Sequence, residues 1–349
     1  MNELKRIFFS FSLQLVCRFV FISFLAVITA CSDQSTDTDY ANRQVTILVG
    51  SAPGGVTDTS ARIIAGFMEN YLPGNPAVIV QNMPGGGSVT MANHLYRSAA
   101  RDGTVLGYSL PGLVAAQLME PDRARFDGRQ LNWIGSAITV TNTIAVLSEA
   151  PVETLEDARE NEIIIGASGR GSLLYQLPAM AKELLDLKIQ IITGYQGSSE
   201  ITLAMERGEV HGQATAIDYW SLSRPDWLSN GRLKYLTYVG PKDPRAPDMP
   251  HLNELVTTQR ERNLIEVLEI GSKIGWPLFA PPGIPDVQLE DLRLAFNQML
   301  QDNAFIEAVE SSMRTPVRPI NGIMLENIVD SALSTPEETI TEAKELLGL

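Results

Sequence analysis

The sequence predicts an α/β fold built on a mostly parallel sheet, from three observations. Short apolar runs rich in β-branched residues alternate with segments of helical period. Glycine-rich turns join the end of a run to the start of the next helix. The unit recurs along a chain of 349 residues, a length that suits two domains.

Residues 45–50 form a continuous apolar run, the pattern of a strand buried on both faces. Ala52-Pro53-Gly54-Gly55 forces a turn, and Thr57 and Asp58 suit the cap of a helix. Ala61, Ile64, Ala65, Met68 and Leu72 follow at helical spacing, and Pro73-Gly74 stops them. The unit repeats at once, with a strand at 77–80, the turn 82–88 and a helix at 89–99. A third unit has a strand at 162–165, the turn 166–171 and a helix reaching about 185. A fourth has a strand at 189–192, the turn 194–199 and a helix at 200–207. Residues 213–218, 233–238 and 274–279 read as further strands. Helices are expected at 287–302, 304–312 and 336–347.

The N-terminus reads as an address. Residues 1–30 carry Lys5 and Arg6, then an apolar stretch interrupted by Arg18, the layout of a secretory signal peptide. Either the basic region extends to Arg18 or translation starts downstream of Met1. The stretch ends Ile28-Thr29-Ala30-Cys31, which resembles a bacterial lipobox, so Cys31 is the expected lipidation site. The alternatives are a plain membrane anchor or a signal cut elsewhere. Residues 31–42 read as a polar tether. No later segment is apolar for long enough to span a bilayer.

Composition excludes several classes. A formal net charge of −14 repels phosphate backbones, so nucleic acid is not an expected partner. Two cysteines, Cys17 and Cys31, make no disulfide framework, and His94, His211 and His251 lie too far apart to suggest a metal site. No cofactor and no metal are expected. There is no Walker-type phosphate loop and no dinucleotide fingerprint opening the first helix. Ser168 lies outside any nucleophile elbow and has no histidine placed to activate it.

The two adjacent Pro-Gly-Gly turns carry the functional reading. Glycines let backbone N–H groups approach a ligand, and a helix N-terminus adds partial positive charge. Together they can seat an anion. No lysine or arginine sits in either turn, which favours a carboxylate over a phosphate. Valine at Gly54 or Gly85 is expected to abolish binding by blocking backbone approach.

From these turns onward the chain resembles the receptor proteins of tripartite tricarboxylate transporters, also called Bug receptors. The first turn matches their P-G-G-x-x-D-x-x-A-R through Pro53, Gly54, Gly55, Asp58, Ala61 and Arg62. The second matches through Asn82, Pro84, Gly85 and Gly87, with Gly86 in an alanine's place. Asp102-Gly103 with Leu106, Thr154-Leu155-Glu156-Asp157, Gly169-Arg170-Gly171-Ser172, Tyr195-Gln196-Gly197 and residues 279–285 extend the likeness over nearly the whole mature chain. Two departures fall in the half that sets selectivity. Leu173-Leu174-Tyr175-Gln176 stands where a histidine is frequent, and residues 213–218 lack the usual Met-Phe-Asp stretch.

The resemblance implies a two-lobe fold of the type II periplasmic-binding-protein kind, each lobe a mixed, mostly parallel sheet flanked by helices, with ligand in the cleft. Lobe one would comprise 43–141 plus 274–349, and lobe two 142–273. The expected ligand contacts are Ala52, Pro53, Gly54, Gly55, Thr57 and Asp58 from the first turn and Pro84, Gly85 and Gly86 from the second. Ser168, Gly169, Ser172 and Asp218 would close from lobe two. The implied protein is a monomeric, lipid-anchored periplasmic solute-binding receptor, not an enzyme. It would capture a small carboxylate and pass it to membrane permease subunits. The alternatives are an exported sensor-input or structural lipoprotein and, less favoured, an enzyme acting on a carboxylate.

Overall fold

A computed structural model describes residues 40–349. The expected signal peptide, Cys31 and the expected tether up to residue 39 lie outside the described residues.

In chain order the first part runs β1 (Gln44–Val49), α1 (Val56–Met68), β2 (Ala77–Asn82), α2 (Val89–Ser98), β3 (Val105–Tyr108), α3 (Leu113–Met119) and β4 (Asn132–Ser136). The middle part runs β5 (Asn142–Leu147), β6 (Ile163–Gly166), α4 (Leu173–Leu185), β7 (Ile189–Ile192), α5 (Ser198–Glu206), β8 (Gly212–Ala216), α6 (Ile217–Ser223), β9 (Leu233–Val239) and α7 (Gln259–Ile274). The last part is β10 (Pro277–Ala280), α8 (Asp286–Met299), α9 (Asn303–Met313), β11 (Ile320–Asn321), α10 (Gly322–Leu333) and α11 (Glu337–Leu347).

The strands form two mixed sheets, ordered β11-β4-β10-β3-β1-β2 and β7-β6-β8-β5-β9. Parallel pairing is confined to the strand–turn–helix units: β1 with β2 and β3, and β6 with β7 and β8. The strands that enter from distant sequence pair antiparallel. Each sheet is covered on both faces, as its unbroken apolar runs require. Ile47, Ile64 and Phe296 pack one face of the first sheet, and Leu48, Leu95 and Phe279 the other. In the second sheet Ile165, Leu177 and Ile265 occupy one face, and Ala145, Ile201 and Trp220 the other.

The register of β1 on β2 places the helix mouths. Gln44 lies beside Ala77 and Val49 beside Asn82, so both strands end at one level and their glycine turns emerge side by side. Two segments cross between the sheets, at residues 137–141 and 272–276, and they bind each other. Val140 N–H donates to the Ser272 carbonyl (3.1 Å) and Trp276 N–H to that of Ile138 (3.3 Å). Gly275 is fixed here: its φ is +68°, and a Cβ would lie 1.9 Å from the Ile138 carbonyl oxygen.

Three local expectations are corrected. The strand at 213–218 stops at Ala216. Ile217 N–H bonds the Thr141 carbonyl, and Ile217 and Trp220 bury themselves at helical spacing, so Asp218 sits in the first turn of α6. The strand at 274–279 begins at Pro277, because Ile274 ends the 16-residue helix α7, which starts with a Thr258/Glu261 capping box. The last helix, α11, departs from the expected lobe division. Its Ala343 and Leu347 are buried in the core of the second sheet, against α4 and α7. Among the described residues no helix is long and apolar enough to cross a membrane.

Candidate ligand-binding cleft

The first glycine turn spends one of its donors, the Gly54 N–H, on its own chain. α1 begins at Val56 with Gly55 as N-cap, so Asp58 is the third helical residue and not the cap. Its carboxylate accepts from Gly54 N–H (2.9 Å), Asn82 Nδ2 (2.9 Å) and Arg62 Nε (3.0 Å). Asn82 Nδ2 also donates to the Ser51 carbonyl (3.0 Å), and the Arg62 guanidinium reaches Asn82 Oδ1 (3.2 Å). The Arg62 bond, against the cost of burial and helped by Gly54 and Asn82, pulls the Asp58 carboxyl down to about 2. Gly54 and Asp58, both expected ligand contacts, bond each other in this structure. Ala52, Pro53 and Gly55 are exposed and lie outside the lining of the cavity described below. Thr57 is buried, and its hydroxyl accepts from Trp276 Nε1 (3.0 Å).

The second turn is built differently. Gly86, Gly87 and Ser88 take left-handed φ values of +55°, +64° and +81° in succession. Such a run turns consecutive N–H groups towards one side. Neither the Gly86 nor the Gly87 N–H has an acceptor among the described residues. Ser88 holds the turn in place: its hydroxyl donates to the Gly50 carbonyl (3.1 Å) and accepts from Leu110 N–H (3.0 Å). Gly85 lies at the base, where a Cβ would meet Thr90 Oγ1 at 2.5 Å.

Gly86 and Gly87 open into a cavity of about 1290 Å³ between the two sheets. Leu110, Pro111, Met119 and Trp276 wall it on the first-sheet side, and Ser172, Leu173, Gln176 and Thr215 on the second. Arg123 reaches the lining beside Gly86, close enough that a Cβ on Gly86 would lie 3.2 Å from its guanidinium. Asn93 on α2 sets the approach of Arg123, donating to its carbonyl (3.0 Å) and accepting from Arg125 N–H (2.7 Å). A smaller cavity of about 340 Å³ behind Gly86 gathers Arg97, Arg123 and Arg125. This strongly acidic chain thus surrounds its second glycine turn with cationic side chains.

Of the residues expected from lobe two, only Ser172 lines the cavity. Its hydroxyl bonds that of Ser168 (2.7 Å) and the Gly169 carbonyl (2.9 Å), so those two residues shape the turn from behind. Asp218 does not line this cavity. It is held by Arg245 and by Arg318 (3.3 Å), in a cluster completed by Asp243. Burial raises the Asp243 carboxyl, but hydrogen bonds from Arg245 outweigh it and keep that group below the ordinary range. Arg318 enters from the strand edge of the first sheet and joins the second sheet's acids, fastening the crossing.

Sequence reasoning missed Arg123, the Leu110-Pro111 corner, Trp276 and the last helix, whose Lys344 and Leu347 also line the cavity. No local pattern marks them. Only the fold brings segments around 110, 123, 276 and 344 to one opening.

Comparison with known proteins agrees with this architecture. Residues 61–334 match the family model described as "Tripartite tricarboxylate transporter family receptor". A UPF0065 protein of Bordetella pertussis is 27% identical over 323 residues, covering 88% of this chain and 92% of that protein. A TctC solute binding protein from Polaromonas superposes with a TM-score of 0.69 at 20% identity, covering 88% of this chain and 99% of that one. The structure of R. palustris Rpa4515 with adipate gives a TM-score of 0.61 at 19% identity, covering 89% and 99%.

Proposed function

Since the chain belongs to the tripartite tricarboxylate transporter receptor family, we propose that it captures a carboxylate in the cavity between its two sheets and releases it to membrane permease subunits. The observation that carries this reading is the Gly86–Gly87 turn, whose unspent N–H groups open into a cavity walled from both sides. A carboxylate seated there takes backbone donors, the partial charge at the N-terminus of α2 and the nearby Arg123 guanidinium. Hydrogen bonds to a charged group contribute roughly 1.5–3 kcal/mol each. Several of them, less the cost of immobilising the ligand, match micromolar capture at about 8 kcal/mol. The adipate that accompanies Rpa4515 in its structure supports the same ligand class.

Ser172, with Ser168 and Gly169 behind it, closes over the ligand as the crossing segments flex. The chain binds without turning its ligand over, a reading supported by its membership of a receptor family. It works in the periplasm as a monomer, tethered through lipid on Cys31.

Two measurements test this. Thermal shift and calorimetric titration against mono-, di- and tricarboxylates should give at least one micromolar ligand. A panel in which only sugars or neutral amides bind would sink the carboxylate reading. For the anchor, Cys31→Ser should move the protein from the membrane to the soluble periplasmic fraction. Identical fractionation of the two forms would remove the lipid.

A further inference from the structure

We propose that the cavity is shaped for a carboxylate with an apolar body, aromatic or a medium-length alkyl chain, and not for a compact di- or tricarboxylate. The inference rests on the carboxylate reading above and names the ligand class within it. Away from the glycine turn the wall is mostly apolar, with Asn142, Ser172, Gln176, Thr215 and Ser272 as its neutral polar groups. Leu110, Met119 and Trp276 are half-buried on one side, and Leu173 and Leu174 on the other. The pairing has a structural origin. Leu173 and Leu174 open α4 at the end of the Gly-Arg-Gly-Ser turn, and Met119 ends α3. Met119 and Leu173 pack partly against one core of the second sheet and Leu174 against the other, and all three still line the cavity.

Charge tells the same story. The cavity lining holds two cations, Arg123 and Lys344. Arg123 stands beside the glycine turn and is already paired with Glu120, which also lines the cavity. Lys344 sits on the last helix, one turn before Leu347. A compact diacid seated at Gly86–Gly87 would set its second carboxylate among the leucine, methionine and tryptophan that dominate the wall, losing hydration unless it reached Lys344 or one of the few neutral polar groups. An apolar body at the same place buries its own surface against theirs. The cavity volume, about 1290 Å³, also exceeds the range of roughly 300–1,000 Å³ common for small-ligand sites.

The test is a calorimetric series on the full mature chain with butyrate, hexanoate, octanoate, phenylacetate, malate, citrate and adipate. Affinity should rise about fourfold per added methylene from butyrate to octanoate, the value of one buried CH₂. Octanoate or phenylacetate should bind at least about tenfold tighter than malate or citrate. Leu173→Ser should cut octanoate affinity by about tenfold, the loss of a large apolar contact, and leave malate unchanged. Met119→Gln is the second variant should Leu173→Ser lose its thermal transition. If malate, citrate or adipate binds more tightly than octanoate, the apolar-body inference fails while the carboxylate reading stands. If no acid in the series binds, the carboxylate reading itself fails.

Discussion

The two Pro-Gly-Gly turns begin alike in sequence and finish with different duties. After β1, the helix carries Asp58 as its third residue, and that carboxylate reaches back to Gly54 N–H, with Arg62 and Asn82 filling its remaining lone pairs. After β2, the third residue of the helix is Met91, which is apolar and buried, and the first turn of α2 holds no acid. A helix N-terminus favours whatever negative charge lies nearest. Where the chain supplies that charge itself, the turn becomes a rigid joint. Where it supplies none, the donors stay available for a charge brought from outside. The two turns thus differ in whether the helix behind them carries its own acid in its first turn.

The sharpest way to break this comparison is a matched pair of substitutions. Gly54 and Gly87 both have positive φ, +83° and +64°, and neither would place a Cβ within 4 Å of another group. Valine at either site thus costs similar backbone strain, on the order of 1–2 kcal/mol. Only Gly87 lines the cavity. Gly87→Val should weaken the best carboxylate ligand by about 100-fold, the value of one or two charge-assisted hydrogen bonds. Gly54→Val should change it by less than about threefold, because its amide already serves Asp58. Titration of both variants decides the matter, and equal losses would erase the distinction between the turns.

The same contrast shows what a sequence can and cannot disclose here. The strand–turn–helix rhythm was legible because each unit is local: β-branched run, glycine, helical period. So the positions of β1, β2, β6 and β7 and the helices after them followed directly. The antiparallel strands β4 and β5 and the long helix α7 were missed. Their pairing and burial partners come from distant segments, and residues 259–263 open α7 with mostly polar side chains. Of the site, Gly86 and Ser172 were legible as glycine-turn residues that reach the cavity. The internal partners of Asp58 and Asp218 differ in how far they lie along the chain: Arg62 stands one helical turn from Asp58, whereas Arg245 and Arg318 fold back onto Asp218. The arginine one turn along from Asp58 was a usable signal. The partners of Asp218, 27 and 100 residues away, were not.

A smaller effect sharpens the comparison from the other turn. If Asp58 is the internal anion of the first helix mouth, its value must follow its ionisation. The folded carboxyl titrates at about 2, against an ordinary 3.8. A depressed pKa of that size corresponds to stabilisation on the order of 2 kcal/mol. It is fully present above the unfolded value and is lost as pH falls through the folded one. Asp58→Asn should therefore lower unfolding stability at pH 7 by about 2 kcal/mol while changing ligand affinity little, since the turn it braces lies outside the lining of the cavity. The gap between variant and wild type should hold down to about pH 4, narrow as pH approaches 2, and close below that. Urea unfolding at a series of pH values reads the gap. A gap that does not narrow would mean that Asp58 braces the turn by shape alone, and the account of why one glycine turn is closed and the other open would lose its electrostatic footing.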